Sequence, residues 1–304
     1  MTTIQSVRLG KNPLQVTNFG LGTAPLANLY GGVAEADAIA TVQSAYNNGV
    51  RLFDTAPLYG LGVSEERVGK ALAGLPRSSF VISTKIGRVL HEDRSSFVFD
   101  YTREGVLRSL EGTLKRLQMD YVDILHIHDP DDHQHAALES AFPTLAELRS
   151  QGVIKAIGAG MNQWQALEHF ARHADFDVFL LAGRYTLLEQ TSLAFLQLGR
   201  EKGIGIFLGG VYNSGILATG PGPGAKYNYR EAPPEIMQKA AAIKAVTDRF
   251  GVSLNVAALH FARSHPAVTS LVVGAVSPAE VETNLRSLAT SVPVALWQEL
   301  RSQG

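Results

Sequence analysis

The sequence predicts an α/β protein whose eight βα repeats close into one (β/α)8 barrel, a TIM barrel, after an N-terminal β-hairpin. Eight short apolar runs alternate in regular order with amphipathic helical patterns. Several runs are too uniformly apolar to have a solvated face, which is typical of parallel strands buried on both sides. No Gly-x-Gly-x-x-Gly motif follows the first run, which argues against an open dinucleotide-binding sheet. We therefore expect one barrel domain over residues 1–304.

The individual elements follow from local patterns. Polar and apolar residues alternate around a Gly-Lys-Asn-Pro turn in residues 6–16, which predicts the hairpin. Short apolar runs predict strands, and a 3.6-residue apolar period predicts helices. A Gly/Pro-rich segment at 220–235 is expected to be a functional or disordered loop. The predicted strands are 18–22, 50–55, 79–87, 121–129, 153–160, 177–183, 203–210 and 269–275, and the predicted helices are 35–48, 102–117, 137–149, 163–172, 192–202 and 278–288.

The composition narrows the functional class. With 45% hydrophobic and 18% charged residues, the chain has the make-up of a globular protein. The formal net charge is −1 and no basic block or stripe is visible, so we expect a small-molecule partner rather than nucleic acid or a membrane. The absence of cysteine excludes a disulfide scaffold. No signal-peptide pattern or membrane-spanning apolar run is present, and a cytoplasmic location is expected.

Four reactive side chains fall at the predicted C-terminal ends of three consecutive strands, where chemistry is located in such a barrel. Asp54 ends the second strand, Tyr59 lies in the loop after it, Lys85 ends the third strand, and His128 ends the fourth. Each alone has a structural explanation. The aspartate could stabilise a turn, the tyrosine could pack in its loop, the lysine could pair with the aspartate, and the histidine could be a core residue. Together they predict a catalytic site, because a buried lysine is unfavourable without a partner.

The four side chains form a chemically coherent set. A phenol has a pKa of about 10, too high for a good base near neutral pH. A neighbouring Lys85 ammonium would lower the pKa of Tyr59, and Asp54 would hold that ammonium in place. His128 would orient a substrate oxygen. This arrangement suits proton transfer coupled to hydride transfer at a carbon that bears oxygen.

Three segments at these residues resemble the signature segments of the aldo-keto reductase superfamily. They are FDTAPLYG at 53–60, STKIG at 83–87 and YVDILHIHDP at 121–130, and the similarity continues through LVVGAVSPAEVETN at 271–284. The resemblance implies a (β/α)8 barrel that binds a nicotinamide cofactor in extended form at its mouth. It also implies that the four residues above act as a catalytic tetrad.

Further segments look similar to one branch of that family, the D-threo-aldose 1-dehydrogenases, also called L-fucose dehydrogenases, with the pyridoxal 4-dehydrogenases. These segments lie at 127–133, 157–164, 183–190 and 209–217. The resemblance implies oxidation of an aldose such as L-fucose or D-arabinose at the anomeric carbon, giving the lactone. In that reaction Tyr59 would take the anomeric hydroxyl proton while hydride passes to the cofactor.

The resemblance also implies binding residues, with some departures from the family pattern. Gly209 and Gly210 stand where many members have an aromatic residue stacked on the nicotinamide, so Tyr212 or Tyr185 replaces it or the ring is held differently. The implied cofactor contacts are Gly22, Thr23, Asp54, Asn162, Gly209, Gly210, Val211, Gly215, Gly274, Glu280 and Asn284, and the implied substrate contacts are Tyr30, Tyr59, His128 and Trp164, with no metal.

The preferred cofactor is expected to be NAD, with NADP as the alternative. Glu280 stands where NADP-preferring members often have arginine, four residues before Asn284. A carboxylate repels a 2′-phosphate but accepts a hydrogen bond from a free ribose 2′-hydroxyl. The other interpretation is that Glu280 is an acidic residue in the first turn of a helix, favoured by the helix dipole.

Several alternative functions remain open. Within the family they are pyridoxal 4-dehydrogenase and NADPH-dependent carbonyl reductase. A non-catalytic cofactor-binding subunit is a third, because some relatives act mainly as partners of membrane channels. A metal-dependent hydrolase is a fourth, because two histidines two residues apart share one face of a strand and could bind a metal together. Against it, the fifth and sixth strands end in glycine and supply no further histidine ligand. No interface patch can be identified, so the oligomeric state stays open. The residues behind the metal alternative are His126, His128, Asp129, Asp131, Asp132, His133 and His135.

Overall fold

Short strands and helices alternate along the chain in a computed structural model that describes residues 4–29 and 31–302. The strands are β1 (Ser6–Arg8), β2 (Gln15–Thr17), β3 (Phe19–Gly22), β4 (Leu52–Asp54), β5 (Val81–Ile86), β6 (Arg88–Leu90), β7 (Phe97–Phe99), β8 (Ile124–His128), β9 (Ala156–Met161), β10 (Val178–Ala182), β11 (Gly205–Gly209), β12 (Lys226–Tyr227), β13 (Arg230–Glu231) and β14 (Val268–Gly274).

The α-helices of the same residues surround the strands. A π-helical stretch at Ala137–Ala141 joins the fourth helix to the fifth. The helices are α1 (Glu35–Asn47), α2 (Val63–Leu72), α3 (Arg103–Leu117), α4 (Gln134–Ala136), α5 (Phe142–Ser150), α6 (Trp164–His173), α7 (Leu193–Lys202), α8 (Ile216–Thr219), α9 (Pro234–Arg249), α10 (Leu254–Arg263), α11 (Pro278–Ala289) and α12 (Val294–Ser302). None of the helices in the described part of the chain has the length and apolar character needed to cross a membrane.

The predicted barrel is confirmed. Strands β3, β4, β5, β8, β9, β10, β11 and β14 form one closed barrel of eight parallel strands. Closure comes from the pairing of β14 with β3, which places Gly274 beside Gly22. Each of the eight predicted strands is present, although most are shorter than predicted. A single domain over residues 1–304 stays a prediction.

The helices agree less completely with the sequence prediction. Five of the six predicted helices lie within about two residues of their predicted bounds, and the one predicted at 137–149 is interrupted by the π-helical stretch. The helices that were not predicted are α2, α4, α8, α9, α10 and α12, and the β6–β7 hairpin was not predicted either. The Gly/Pro-rich segment at 220–235 is anchored rather than structureless, because β12 pairs with β13 and the Tyr227 hydroxyl donates to Glu189 Oε2 at 2.6 Å.

The N-terminal hairpin closes one end of the barrel. Strands β1 and β2 pair antiparallel, as predicted, and Leu9 and Val16 pack into the interior of the barrel with Leu52, Ile124 and other strand residues. Gly10 has a φ of +54°, and a Cβ there would lie 2.2 Å from the carbonyl oxygen of Gly203. The hairpin therefore needs glycine at this close approach.

Candidate active site

A buried ion pair lies at the C-terminal ends of β4 and β5. Lys85 Nζ donates to Asp54 Oδ2 at 2.7 Å and to the carbonyl oxygen of Thr55 at 2.8 Å. Both charged side chains are almost completely buried. Burial alone would lower the pKa of Lys85, but the Asp54 carboxylate outweighs it and holds that pKa above its usual range. The site therefore contains a fixed ammonium at neutral pH.

The ion pair extends into the barrel interior through Ser83, which was not predicted as a site residue, and His126, which was considered only as a metal ligand. Ser83 Oγ donates to Asp54 Oδ1 at 2.8 Å and lies 3.0 Å from His126 Nε2. Because the Ser83 proton is directed at the carboxylate, His126 must donate from Nε2. A Cβ at Gly158 would lie 2.2 Å from His126 Nδ1, so this glycine makes room for the ring. The sequence signal that could have identified them is the two-residue spacing within a strand, which places side chains on the same face. Ser83 lies two residues before Lys85, and His126 lies two residues before His128.

Tyr59 lies against both Lys85 and His128. The Lys85 Nζ is 4.8 Å from the centroid of the phenol ring, and the Tyr59 and His128 rings meet edge to face with centroids 5.9 Å apart. Burial raises the pKa of Tyr59 to about 12, although the Lys85 ammonium acts to lower it. The expected effect of the lysine is therefore present, but it is outweighed by desolvation, and the phenol is protonated at neutral pH.

His128 is an uncharged imidazole in this environment. Burial lowers its pKa well below 6.5, and the nearby Lys85 and Arg88 cations lower it further. Its Nδ1 is buried without a hydrogen-bond partner among the described residues. A neutral ring in this position can donate one hydrogen bond to a substrate oxygen without adding a positive charge.

A second carboxylate lies next to His128 at the mouth of the barrel. Asp129 Oδ2 is 3.0 Å from Arg88 Nη2 and 3.5 Å from His128 Nε2. Asp129 has a φ of +39°, a conformation that non-glycine residues seldom adopt. Burial raises the pKa of its carboxyl group, and Arg88 acts against that shift. Arg88 belongs to the unpredicted β6–β7 hairpin and lies over the Phe97 and Phe99 rings at 5.2 Å each.

The residues implied to hold the cofactor lie mostly at the same end of the barrel. Gly22, Gly209 and Gly274 are the last residues of β3, β11 and β14. Thr23 follows β3 and contacts the Asp54 carbonyl oxygen through its N–H at 2.9 Å and its hydroxyl at 2.8 Å. Asn162 follows β9, and its Nδ2 donates to the Ala182 carbonyl oxygen at 3.0 Å. These placements agree with the predicted contacts without testing them.

The segment after β11, which includes Gly210 and Val211, offers space for a bound group. No heavy atom lies within 4 Å of the position that a Cβ would occupy at Gly215, whose φ is +105°. Asn213 nearby is buried, and its Oδ1 has no hydrogen-bond partner in the described part of the chain. An open backbone turn with an unused buried acceptor fits a ligand rich in hydrogen-bond donors, as the amide and ribose groups of a nicotinamide cofactor are.

Helix α11 gives Glu280 a structural role. Ser277 Oγ accepts from the Glu280 N–H at 3.3 Å, and Glu280 Oε2 accepts from the Val276 N–H at 2.9 Å. This is a helix N-terminal cap, so the interpretation as a first-turn acidic residue has direct support. The cap also fixes the position of the carboxylate. Asn284 Oδ1 accepts from the Tyr212 hydroxyl at 2.7 Å, which ties the segment after β11 to α11.

Tyr185 does not lie with these residues. Its ring stacks on Phe261 of α10 with centroids 5.0 Å apart, and it meets His265 at 5.5 Å. Of the two tyrosines considered as a replacement for the usual aromatic residue, only Tyr212 is close to the predicted cofactor contacts. Tyr30 lies outside the described residues. Trp164 begins α6 and packs against the main core. Roles in substrate binding stay predictions for both.

The histidine and aspartate cluster near β8 is not arranged as a metal site. Over residues 4–29 and 31–302, no group of three or more histidine, aspartate or glutamate side chains is positioned to hold a metal ion. His126 is enclosed in the barrel, and burial lowers its pKa to about 3. His133 instead packs against Phe99 and Tyr101, with ring centroids 4.7 and 5.4 Å away.

Comparison with known proteins matches residues 18–302 to the sequence model of the aldo/keto reductase family. A pyridoxal 4-dehydrogenase from Microbacterium luteolum is 37% identical, with 97% of this chain and 96% of that protein covered. A D-threo-aldose 1-dehydrogenase from a Pseudomonas species is 38% identical, with 94% of each chain covered. An L-galactose dehydrogenase from Arabidopsis thaliana is 33% identical and covers 100% of this chain and 94% of its own.

A solved structure supports the fold. The holo form of an aldo-keto reductase from Bacillus halodurans superposes with a TM-score of 0.82 over 98% of this chain and 96% of that chain, at 24% identity. At this level of identity the similarity concerns the barrel alone.

Proposed function

The chain belongs to the aldo/keto reductase family and is an NAD(P)-dependent oxidoreductase, and on that premise we propose that it oxidises an aldose at the anomeric carbon to the lactone, with NAD preferred. The observation that carries the proposal is the Asp129 carboxylate, held by Arg88 beside His128. A carboxylate there can accept hydrogen bonds from the hydroxyl groups that flank an anomeric carbon. Two relatives named for aldose or galactose oxidation add support.

Each member of the tetrad has a defined part in this reaction. Tyr59 takes the proton of the anomeric hydroxyl, and His128 donates a hydrogen bond to the same oxygen. Lys85, fixed by Asp54, stabilises the phenolate form of Tyr59. A nicotinamide cofactor bound at the mouth of the barrel would accept the anomeric hydrogen with its electron pair, as hydride. The carbon–oxygen bond becomes the lactone carbonyl.

The preference for NAD is proposed from Glu280. Because the helix cap fixes this carboxylate at the start of α11, it would repel a 2′-phosphate placed near Asn284. The substitution Glu280→Gln keeps an acceptor for the Val276 N–H and removes the charge. We expect this variant to use NADP better relative to NAD, and an unchanged ratio of kcat/KM values would contradict the assignment.

Oxidation of pyridoxal is a second candidate, because a specific feature favours it. The rings of Phe97, Phe99, Tyr101 and His133 form an aromatic cluster around the Arg88 guanidinium. Such a cluster can stack on a planar pyridine ring. A relative named for pyridoxal oxidation is also 37% identical.

The experiment that separates these functions is a substrate panel. Purified protein is mixed with NAD or NADP and with L-fucose, D-arabinose, L-galactose or pyridoxal, and formation of reduced cofactor is followed by absorbance. Turnover of a sugar with NAD supports aldose oxidation, whereas turnover of pyridoxal alone changes the substrate and keeps the chemistry. If none is oxidised but NAD still binds, the aldose proposal is wrong, and an NADPH-dependent carbonyl reductase or a non-catalytic subunit takes its place.

A further inference from the structure

A large groove in the described part of the structure lies away from the catalytic residues. It has a cavity volume of about 1560 Å³ and includes none of the tetrad and none of the predicted cofactor contacts. Its walls come from α7, α9, α10, α12 and the N-terminal hairpin, and the first residues of β14 also line it. The groove therefore lies among the outer helices rather than at the mouth of the barrel.

Five cationic side chains line this groove, and each belongs to a different element. No aspartate or glutamate is among the lining residues of the described chain. Because the chain as a whole has a formal net charge of −1, this is a basic region on a slightly acidic protein. The cations are Arg8 in the hairpin, Arg200 in α7, Lys239 in α9, Arg263 in α10 and Arg301 in α12.

These charges have no acidic partners within residues 4–29 and 31–302. Arg8 Nε donates to the Asn12 carbonyl oxygen at 3.1 Å, Lys239 Nζ to that of Leu188 at 2.8 Å, and Arg263 Nη1 to that of Leu288 at 3.3 Å. Arg200 and Arg301 are exposed. Carbonyl oxygens satisfy hydrogen bonds but leave the positive charge uncompensated.

Neighbouring titratable groups respond to that excess of positive charge. Burial lowers the pKa of His260, and the Arg263 guanidinium lowers it further. Burial also lowers the pKa of His265, with Arg200 acting in the same direction. The charged groups that influence these two histidines are therefore cations.

Apolar side chains lie between the cations. Helix α12 directs Val294, Trp297 and Leu300 into the groove at three-residue spacing, next to Arg301. Val294 is 70% exposed, more than any other large hydrophobic residue described. Phe261 of α10 lines the same space. A ligand that complements this surface must carry both negative charges and apolar groups.

The size of the groove favours an extended ligand. Pockets for small molecules usually have volumes of roughly 300–1,000 Å³, and this groove is larger. Its cations line a concave space, whereas binding to a membrane surface requires charges that project from an accessible face. We propose that the groove docks an acidic peptide segment of a partner protein, whose apolar side chains contact α12 and whose carboxylates pair with the five cations.

A peptide-display selection against the intact protein tests this proposal. A library of random 12-residue peptides is selected without bias, and bound peptides are sequenced and measured individually by fluorescence anisotropy at low and high salt. We expect enrichment of aspartate and glutamate with interspersed apolar residues. The charge-reversed variant Arg200→Glu/Arg301→Glu should bind these peptides about tenfold more weakly or worse, since like charges are penalised at an interface.

A matched variant controls for net charge. Lys202→Glu/Lys226→Glu makes the same change in charge at exposed residues that do not line the groove, and it should retain binding. Neither variant touches the tetrad, so both should retain oxidoreductase activity. Peptides without acidic enrichment, or equal loss of binding in both variants, would overturn the proposal. If the protein binds phosphatidylserine vesicles but no peptide, and the groove variant loses that binding, the occupant is a membrane surface. If the protein self-associates in sedimentation and the groove variant does not, the occupant is a second copy of the chain.

Discussion

A buried polar side chain at one end of the barrel is paired more completely than one at the other end. At the closed N-terminal end, Asp177 accepts from Arg149 Nη1 at 2.7 Å, the Ile157 N–H at 2.8 Å and Asn12 Nδ2 at 3.0 Å. At the open end, His128 Nδ1 is a buried nitrogen without a partner in the described chain. Neighbouring strands and the hairpin satisfy the Asp177 carboxylate at the closed end, whereas His128 at the open end keeps one ring nitrogen without a partner in the described chain.

Asp123 repeats the pattern of the closed end. Its carboxylate contacts Arg77 at 2.6 Å and Lys155 at 2.7 Å, and it accepts from the Ile82 N–H at 2.9 Å. These contacts join consecutive strands of the barrel. The difference between the ends indicates that the closed end serves mainly stability and the open end mainly chemistry, in line with the general behaviour of such barrels.

The strongest test of this division is Tyr59→Phe. Removal of a general acid–base group typically lowers the rate by about 10²–10⁴-fold. The variant keeps the ring that packs against His128, so its thermal midpoint should match that of the wild type. Steady-state kinetics and thermal unfolding measure the two effects. Wild-type activity in this variant would show that Tyr59 does not transfer the proton.

The pH dependence of oxidation tests the same residue without mutation. Because the pKa of Tyr59 is raised to about 12, the phenolate is a minor form at neutral pH and increases about tenfold for each pH unit. We therefore expect kcat/KM for oxidation to rise between about pH 7 and 9. The residual activity of Tyr59→Phe should lack this rise. A flat wild-type profile would mean that proton removal by Tyr59 does not limit the reaction.

The substitution Asp177→Ala tests the closed end. It leaves the Ile157 N–H and Asn12 without their acceptor, and such loss costs about 1–3 kcal/mol in the free energy of unfolding. The value of kcat should be unchanged because the site lies at the other end of the barrel. Asp175→Ala is the matched control, since Asp175 is exposed. A large loss of kcat with unchanged stability would contradict the assignment of stability to the closed end and of chemistry to the open end.

Acid should destabilise the protein through the histidines of β8. The folded pKa of His126 is lowered to about 3 and that of His128 is also depressed, whereas the unfolded value is about 6.5. Between these values the unfolded chain binds more protons, so the stabilisation is present above about pH 6.5 and is lost as the pH falls. Each histidine contributes up to about 1.4 kcal/mol per pH unit. Urea unfolding from pH 7.5 to 5 measures the slope, which His126→Gln should reduce.

The smallest expected effect belongs to Asp129→Asn. This variant keeps the shape of the side chain and removes the charge that pairs with Arg88. If Asp129 accepts hydrogen bonds from sugar hydroxyls, KM should rise several-fold, equivalent to about 1 kcal/mol, with a smaller change in kcat. The thermal midpoint provides the control. A change in kcat alone would place Asp129 in the chemistry rather than in substrate binding.

The sequence predicted the barrel well because its strands depend on local patterns. A buried parallel strand is a short apolar run wherever it occurs, and Val81–Ile86 is buried throughout as that pattern implies. Helices α9 and α10, which follow the Gly/Pro-rich segment, were not predicted. Pro233 and Pro234 are a helix-start signal that could have placed α9.

The properties that depend on distant contacts could not be predicted in the same way. The proximity of Lys85 suggested a lowered pKa for Tyr59, but the extent of burial, which only the folded chain determines, reverses the net shift. Likewise, the basic groove is invisible in the sequence. Arg8 and Arg301 lie at opposite ends of the chain, and the fold brings them to the same surface.

The way the barrel closes also determines when during synthesis the chain can finish folding. Strand β3 leaves the ribosome long before its partner β14, which begins only at Val268. The hairpin must likewise wait for the loop that carries Gly203. Until then the seam of the barrel presents unpaired strand edges, which are templates for pairing with other chains. A nascent chain that stops before Val268 therefore cannot close the barrel, and its strand edges stay exposed until β14 emerges.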